Sequence, residues 1–446
     1  MLTTREEYNH KKEQLCLQMK QAGTSPVALK KDTSNLFRYR TQKADVRLDV
    51  RSFNHVITVD AEKNVAEVEG MTPYEELVKE TLKHNRMPAV VPELKSITIG
   101  GATTGVGIES SSFKHGLVHE TILEMEILLS DSRIVTASPT NEHKDLFFGF
   151  ANSYGTLGYA LKLKVKLIPV KPYVELHHKQ YDNAQSYFKD INNICKTQTI
   201  DFVDGTIFSE NEMYITVGTF NEQAPYVSDY KGRYIYYKSI AKKEIDYVTT
   251  SDYIWRWDTD WFWCSKHFLV QNPLVRFFWP QQKLRSTTYW KIRKWAHDST
   301  LAKALLVFQK KQESIVQDVE VPIDHAPEFI EFFHKEIGIK PVWVCPTQIC
   351  NKDVHYTLFP MKTDTLYINF GFWDVIKSDK PDGYYNKKIE QKVRELNGTK
   401  SLYSTSYYSS DVFWMLYNKE EYEKLKNRYD PMHRLNDLYA KCVLKK

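Results

Sequence analysis

Residues 99–112 read IGGATTGVGIESSS, and this stretch decides the fold. Four glycines fall within eight residues, at Gly100, Gly101, Gly105 and Gly107. A chain without Cβ atoms can approach a ligand closely and turn consecutive backbone N–H groups towards an anion such as a pyrophosphate. The spacing is not GxGxxG, and the terminal Gly-Lys-Ser/Thr of a P-loop is missing. Composition alone also allows a glycine-rich surface loop.

A second glycine motif stands further along, in NSYGTLGYALKLKVKLIPV at 152–170. Gly155 and Gly158 bracket a tight turn, and the residues after it alternate as in a strand. Strands rather than a helix flank the first motif as well. The change of pattern after residue 172 predicts a boundary there, with a first domain over 1–172, a second over 173–400 and a tail over 401–446.

Bulk composition excludes several classes of protein. A chain of 446 residues is long enough for two or three domains. A net charge of +5 is too mild for a nucleic-acid-binding protein. The six scattered cysteines indicate reduced thiols in a cytoplasmic setting, without a metal site. The N-terminus is too polar for a signal peptide, and no run reaches the ~18 apolar residues of a membrane span.

Residues 252–265, DYIWRWDTDWFWCS, hold four of the ten tryptophans. Alternation of aromatic and charged residues favours an extended chain with one aromatic face, although a helical stripe also fits. The segment is either core of the second domain or the lining of an apolar pocket. Residues 276–311 hold nine Lys/Arg against one acid, interspersed with tryptophans. This composition suits peripheral contact with a membrane, and it also suits a solvated basic helix.

The segment VQDVEVP at 316–322 alternates as a strand. Asp318 and Glu320 therefore share one face of it, which is either solvated or turned towards a ligand.

The motifs together resemble a known family. GGxxxGxG followed by IESSSxKxG, an apolar strand, DLFF and SYGTLG is similar to the FAD-binding domain of the vanillyl-alcohol-oxidase (PCMH-type) family. VPELxSxTxGG, GIESSSFKHGL, IVQDVEVP, KPVWVCP and YYSSDVFWMLYNKEEYEKL resemble its sterol delta-24-reductase subfamily. The resemblance implies an α+β fold, with a PCMH-type FAD-binding domain followed by an α+β substrate (cap) domain built on an antiparallel sheet. The tail is then expected to return to the flavin.

The resemblance also implies the FAD contacts. No histidine stands in a matching loop, so we expect the FAD to be held non-covalently. The expected contacts are Gly100, Gly101, Thr103, Gly105, Gly107, Glu109, Ser110, Ser111, Ser34, Asn35, Arg38, Tyr154, Gly155, Thr156 and Gly158.

The implied reaction is reduction of a carbon–carbon double bond in a hydrophobic, sterol- or lipid-like substrate, with electrons passed from NADPH through the flavin. An acid supplies the proton, with Tyr407, Glu320 and Tyr403 as candidates. Trp257, Trp261 and Gln317 are expected to contact the substrate. The alternative is an alcohol oxidase or dehydrogenase acting on a sugar or hydroxy acid. A third class is a flavin-free membrane-binding module on the same scaffold. The sequence does not determine the oligomeric state.

Overall fold

Alternating apolar residues build two antiparallel sheets along this chain. The computed structural model describes residues 2–32, 36–37, 46–197, 199–298 and 312–446. Ser34, Asn35 and Arg38, three of the expected FAD contacts, lie outside these residues, as does the end of the basic stretch, 299–311. The α+β class is confirmed.

The first sheet contains six strands in the order β3-β4-β8-β6-β7, with β5 paired to the end of β8. β8 runs through its middle, and its alternation is visible in the burial: Leu163 and Val165 are buried, whereas Lys164 and Lys166 are not. The strands are β3 (Val56–Asp60), β4 (Val65–Glu69), β5 (Arg86–Pro88), β6 (Ile122–Leu128), β7 (Ile134–Ala137) and β8 (Tyr159–Pro169).

Five helices of the described residues accompany this sheet, and a parallel pair of strands lies before it. The pair is β1 (Val27–Lys30) and β2 (Val46–Asp49). The helices are α1 (Arg5–Gln21), α2 (Tyr74–Leu82), α3 (Ile99–Thr104), α4 (Ser112–His115) and α5 (Lys144–Gly149).

The second sheet has eight strands in the order β12-β9-β11-β10-β14-β15-β13-β16. The predicted boundary at residue 172 lies between the last strand of the first sheet and the first strand of this one. The strands are β9 (Tyr173–Tyr181), β10 (Phe202–Ser209), β11 (Glu212–Asn221), β12 (Ile245–Thr249), β13 (Gln312–Pro322), β14 (Val342–Thr347), β15 (Tyr367–Lys377) and β16 (Thr399–Lys400).

Helices cover one face of the second sheet. On β13, Val319 and Val321 pack with these helices in one apolar cluster, so the period of two turns Asp318 and Glu320 to the other face, towards the first domain. The helices of this region are α6 (Ala184–Cys195), α7 (Tyr236–Ser239), α8 (Thr250–Ile254), α9 (Pro273–Phe278), α10 (Ser286–Asp298), α11 (Ala326–Glu336) and α12 (Tyr384–Glu395).

The C-terminal tail returns to the first domain. Arg428 and the Tyr429 hydroxyl bind the Asp145 carboxylate at 2.8 and 2.7 Å. Buried Arg434 donates to the backbone carbonyls of Met19 and Ser130. The helices of the tail are α13 (Ser410–Leu416), α14 (Lys419–Tyr429) and α15 (Leu438–Cys442).

The aromatic segment 252–265 is not an extended chain. After α8 it continues in turns up to a 3-10 helix at Cys264–Phe268, and both Trp261 and Phe262 have positive φ, 47° and 58°. The prediction of a strand was wrong because the charged residues Arg256, Asp258 and Asp260 are buried as well, so no polar face opposes an aromatic one. Arg256 pairs with the carboxylates of Glu109 and Asp204, and Asp260 pairs with Arg276. Asp258 accepts hydrogen bonds from the Ser286 hydroxyl and the Lys95 N–H.

The glycine-rich segment is likewise not all loop. Thr98 caps α3 by accepting a hydrogen bond from the Gly101 N–H at 3.2 Å, so the first two glycines belong to a helical turn. Within the described ranges, no helix combines the length and the apolar composition that crossing a bilayer requires.

Candidate active site

A cavity of about 280 Å³ separates the glycine-rich segment from the inner face of the second sheet. Gly100, Gly101, Gly105 and Gly107 all line it, as expected for a wall made of backbone. A Cβ atom on Gly105 would lie 2.8 Å from the Gly101 carbonyl oxygen, so a side chain does not fit there. The wall is therefore formed by main chain, which is what close approach to a ligand demands.

The turn at 154–158 adds a second backbone wall. Tyr154, Gly155 and Gly158 line the cavity, and all three have positive φ, 49°, 74° and 149°. A Cβ atom on Gly158 would lie 2.6 Å from the Ile127 side chain and 3.0 Å from the Leu128 carbonyl oxygen. This turn therefore depends on glycine in order to pack against β6.

Five other expected FAD contacts lie behind these walls and do not line the cavity. The Thr103 hydroxyl donates to the Ile99 carbonyl oxygen at 2.8 Å, and the Ser111 hydroxyl donates to that of Ala89 at 2.8 Å. Their hydroxyl groups hold the backbone of the wall instead of facing a ligand. The five are Thr103, Glu109, Ser110, Ser111 and Thr156.

A buried ion cluster joins the glycine-rich segment to the second domain. The Arg256 guanidinium lies 2.9 Å from Glu109 Oε1 and 2.8 Å from Asp204 Oδ2. Burial alone would raise the pKa of Glu109, but the Arg256 charge lowers it below its usual value. Burial, and then the charge of Glu109, raise the pKa of neighbouring Glu93 well above the usual range. Glu93 itself lines the cavity, which the sequence analysis missed.

Aromatic rings from the second domain and from Phe37 form another part of the cavity wall. Phe262 stacks on Trp373 with ring centroids 4.1 Å apart, and Phe37 stacks on Trp261 at 5.8 Å. Trp257, expected to contact substrate, lies one layer behind and stacks on Phe262 at 5.1 Å. The aromatic residues that line the cavity from this side are Phe37, Trp261, Phe262, Trp343 and Trp373.

Asp318 and Tyr403 bring titratable groups into the same cavity. Asn369 Nδ2 donates to Asp318 Oδ1 at 2.9 Å, and Trp373 Nε1 donates to the Tyr403 hydroxyl at 3.0 Å. Burial raises the pKa of Asp318 to about 6, although hydrogen bonding from Asn369 and Tyr403 opposes the rise. Asp318 can thus hold or release a proton near neutral pH. The alternation of Asp318 with Val319 and Val321 predicts the strand face on which Asp318 lies, but it does not predict that this residue lines the cavity.

The other predicted catalytic and substrate residues lie elsewhere. Glu320 is buried outside the cavity lining and accepts a hydrogen bond from Ser401 at 3.0 Å. Gln317 points to the helix-covered face of the sheet and donates to Asn386 at 2.6 Å. Tyr407 lines a separate shallow depression. The period of two along β13 separates Gln317 from Asp318, so these two residues cannot share one site.

The cavity also fits the charge of a dinucleotide cofactor. Lys31 and Lys441 line it, and the Lys441 ammonium donates to the Tyr154 carbonyl oxygen at 2.5 Å. Two cations beside two walls of bare backbone suit a pyrophosphate. The aromatic wall suits a flat ring system. Among the residues that the structure describes, no histidine lines the cavity.

Comparison with known proteins agrees with this geometry. Residues 12–138 match the family model of an FAD binding domain. Over 443 residues the chain is 26% identical to a Delta(24)-sterol reductase of Pisum sativum, a match that covers 89% of this chain and 76% of the relative. The Homo sapiens Delta(24)-sterol reductase is 25% identical over 402 residues, which is 86% of this chain and 75% of the relative.

A shorter match is to an enzyme with a different name. Cytokinin dehydrogenase 8 of Oryza sativa subsp. indica is 27% identical over 162 residues, covering 35% of this chain and 30% of the relative. The longer matches, in contrast, cover 86% and 89% of this chain and so extend beyond the FAD-binding domain into the second sheet. The chain is therefore an FAD-dependent oxidoreductase with an FAD-binding domain, and it is similar over most of its length to the Delta(24)-sterol reductases.

Proposed function

We propose that this enzyme reduces a carbon–carbon double bond of a hydrophobic, sterol- or lipid-like substrate, using electrons from NADPH that pass through FAD. The observation that carries the proposal is that backbone walls, aromatic rings and the Asp318–Tyr403 pair line the same cavity. The names of the relatives that match over most of the chain support the choice of a sterol-like alkene.

Backbone segments and lysine side chains of the chain would hold the cofactor in different ways. Gly100–Ile108 and the turn at Tyr154–Gly158 supply backbone, and Lys31 and Lys441 supply positive charge beside the pyrophosphate. When bound, FAD supplies the hydride chemistry, accepting from a nicotinamide and passing on to carbon. We further propose that the FAD is non-covalent. Acid precipitation should leave its absorbance in the supernatant, whereas flavin in the protein pellet would contradict this.

Asp318 is the proposed proton donor. Adding two hydrogens to an alkene takes one hydride and one proton, and an isolated alkene is a weak base that needs an acid stronger than a phenol. The pKa of Asp318, about 6, makes it the stronger acid of the pair, since burial raises the pKa of Tyr403 above its usual range. Tyr403 then positions the Asp318 carboxyl group.

The aromatic wall is the proposed substrate surface. Trp261, Phe262 and Trp373 line the cavity together with Asp318. An apolar substrate buries hydrophobic area against them, and water is displaced from the acid.

A second candidate reaction follows from the same carboxyl group. Above pH 6 most of the Asp318 groups are ionised and able to accept a proton, which oxidation of an alcohol requires. This would make the protein an alcohol oxidase or dehydrogenase acting on a sugar or hydroxy acid.

An anaerobic absorption spectrum separates the two reactions. For the proposed reductase, NADPH should bleach the flavin absorbance, and a sterol with a side-chain double bond should then restore it. Its saturated counterpart is the matched control and should restore nothing. Bleaching by alcohols with no response to NADPH would refute the reductase and support the alternative.

A further inference from the structure

Four large apolar side chains stand out of the surface within ten residues of one another. Leu269, Leu274, Phe277 and Phe278 have 70, 74, 80 and 80% of their surface exposed. They lie on the turn before α9 and on α9 itself, and we name residues 269–278 the apolar ridge. Isolated exposed apolar residues are ordinary, but four within ten residues, with the rings of Phe277 and Phe278 in contact, indicate an interaction surface.

The ridge is held rigidly from below. Arg276, on the same short helix, is 5% exposed, and its guanidinium binds both oxygens of the buried Asp260 carboxylate at 2.7 and 3.0 Å. Arg276 Nε also donates to the Gly232 carbonyl oxygen at 2.6 Å. Because the helix is fixed by its charged residue, Phe277 and Phe278 have no route into the core.

The segment that carries the ridge has charge of one sign along its sequence. No Asp or Glu occurs between Asp260 and Asp298, whereas seven Lys or Arg do. Of these, Lys283 and Lys291 are exposed. Apolar side chains flanked by cations fit the interface of a membrane that contains anionic phospholipids. A protein partner would need an acidic rim to match, which a second copy of this segment cannot supply.

The ridge is also connected to the cavity. Asp260, which binds Arg276, is followed directly by Trp261 and Phe262, and both of these line the cavity. Trp261 packs in one cluster with Val270, Leu284 and Tyr289, beneath the ridge. A membrane bound at the ridge would therefore lie next to the segment that forms the substrate wall.

We propose that the apolar ridge docks this enzyme on anionic phospholipid membranes by burying Leu269, Leu274, Phe277 and Phe278 in the interfacial layer. The cavity then receives its hydrophobic substrate from that layer. The second statement rests on the proposed function, whereas the docking itself does not.

Vesicle co-sedimentation of the full-length, FAD-loaded protein tests the docking. We expect binding to phosphatidylcholine vesicles that contain phosphatidylserine, and at least about tenfold weaker binding to pure phosphatidylcholine. Phe277→Ser with Phe278→Ser should weaken binding to the anionic vesicles at least about tenfold. Lys283→Glu with Lys291→Glu should weaken it in low salt. The matched control, Met415→Ser with Met432→Ser, alters two exposed apolar side chains elsewhere and should bind like wild type.

Flavin absorbance and the thermal midpoint show whether each variant is folded. If a ridge variant does not fold, the wild type alone still tests the proposal, because its vesicle binding should weaken with added salt and with neutral vesicles. Absence of wild-type binding to anionic vesicles overturns the proposal. Light scattering without lipid provides a second test. If the wild type is a dimer, the ridge variant is a monomer and neither binds vesicles, the ridge is a self-association surface and the proposal is wrong. Vesicle binding without alkene reduction would refute the proposed function and leave the docking intact.

Discussion

Asp318 is the residue on which the proposed chemistry depends most directly. Because burial raises its pKa to about 6, the carboxyl group holds its proton below that pH and loses it as the pH rises through it. We expect alkene-dependent reoxidation of the reduced enzyme to slow above pH 6. Asp318→Asn should lower the rate at least about 100-fold and remove this pH dependence. Anaerobic stopped-flow absorbance across pH 5–8 provides the measurement.

Glu320→Gln is the matched control, because Glu320 shares the strand face of Asp318 but does not line the cavity. It should leave the rate and its pH profile near those of wild type. Tyr403→Phe should lower the rate less than Asp318→Asn does, and Tyr407→Phe should leave it unchanged. If Glu320→Gln or Tyr407→Phe lowers the rate and Asp318→Asn does not, the substituted residue is the proton donor in place of Asp318.

Alanine substitutions at two glycines of the cavity wall should have different effects on stability and on cofactor binding. At Gly158 an added Cβ meets Ile127 at 2.6 Å and Leu128 at 3.0 Å, so Gly158→Ala should lower the free energy of unfolding by about 2 kcal/mol or more. At Gly101 it meets only the Thr98 hydroxyl, at 2.8 Å, so that hydroxyl must shift and its cap of α3 is weakened. Gly101→Ala should therefore cost only the ~1 kcal/mol of a helix cap, less than Gly158→Ala, and should weaken FAD binding.

Thermal unfolding of the apoprotein and fluorescence titration with FAD measure these two effects. The reverse pattern, an unstable Gly101 variant and a stable Gly158 variant, would contradict the arrangement of the walls.

At the scale of elements, the Arg256 cluster fastens the glycine-rich segment to the second sheet. Arg256→Met leaves the buried carboxylates of Glu109 and Asp204 without a counter-charge, which should cost about 3–5 kcal/mol of the free energy of unfolding. Chemical denaturation measures this loss. The triple variant Arg256→Met, Glu109→Gln, Asp204→Asn should recover part of it, because no buried charge is then left unpaired. A triple variant no more stable than the single one would show that packing, not charge, dominates here.

The same cluster explains where sequence reasoning about elements succeeds and fails. β8 and β13 follow from their alternation, since one face of each strand is apolar and the pattern is local. The segment 252–265 alternates too, but the partner of Arg256 in the glycine-rich segment is 147 residues away. A charge that is neutralised by a distant residue looks like a solvated charge in the sequence. Periodicity therefore predicted a strand where the chain turns.

At the scale of the whole molecule, three separate parts of the chain build one site. The glycine walls were predictable, because their steric requirement for glycine is local. The sequence does not distinguish Asp318 from Glu320, because only the packing of β13 against Tyr403 and Asn369 decides which carboxyl group reaches the cavity. Glu93 was missed for the same reason. The raised pKa of Glu93 depends on its burial and on the charge of Glu109, which only folding brings beside it.

The tail contributes charge as well as shape, and Lys441 tests this. Its ammonium donates to the Tyr154 carbonyl oxygen at 2.5 Å and lines the cavity near the second glycine wall. Lys441→Met removes a positive charge beside the proposed pyrophosphate position, so FAD affinity should fall by about tenfold or more. Fluorescence titration of the apoprotein measures it, and wild-type affinity should fall more steeply with added salt than that of the variant.

Lys424→Met, on the exposed side of the tail where Glu420 and Glu421 pair with it, is the matched control and should bind FAD normally. Wild-type affinity and salt dependence in Lys441→Met would mean that the tail closes the cavity by shape alone.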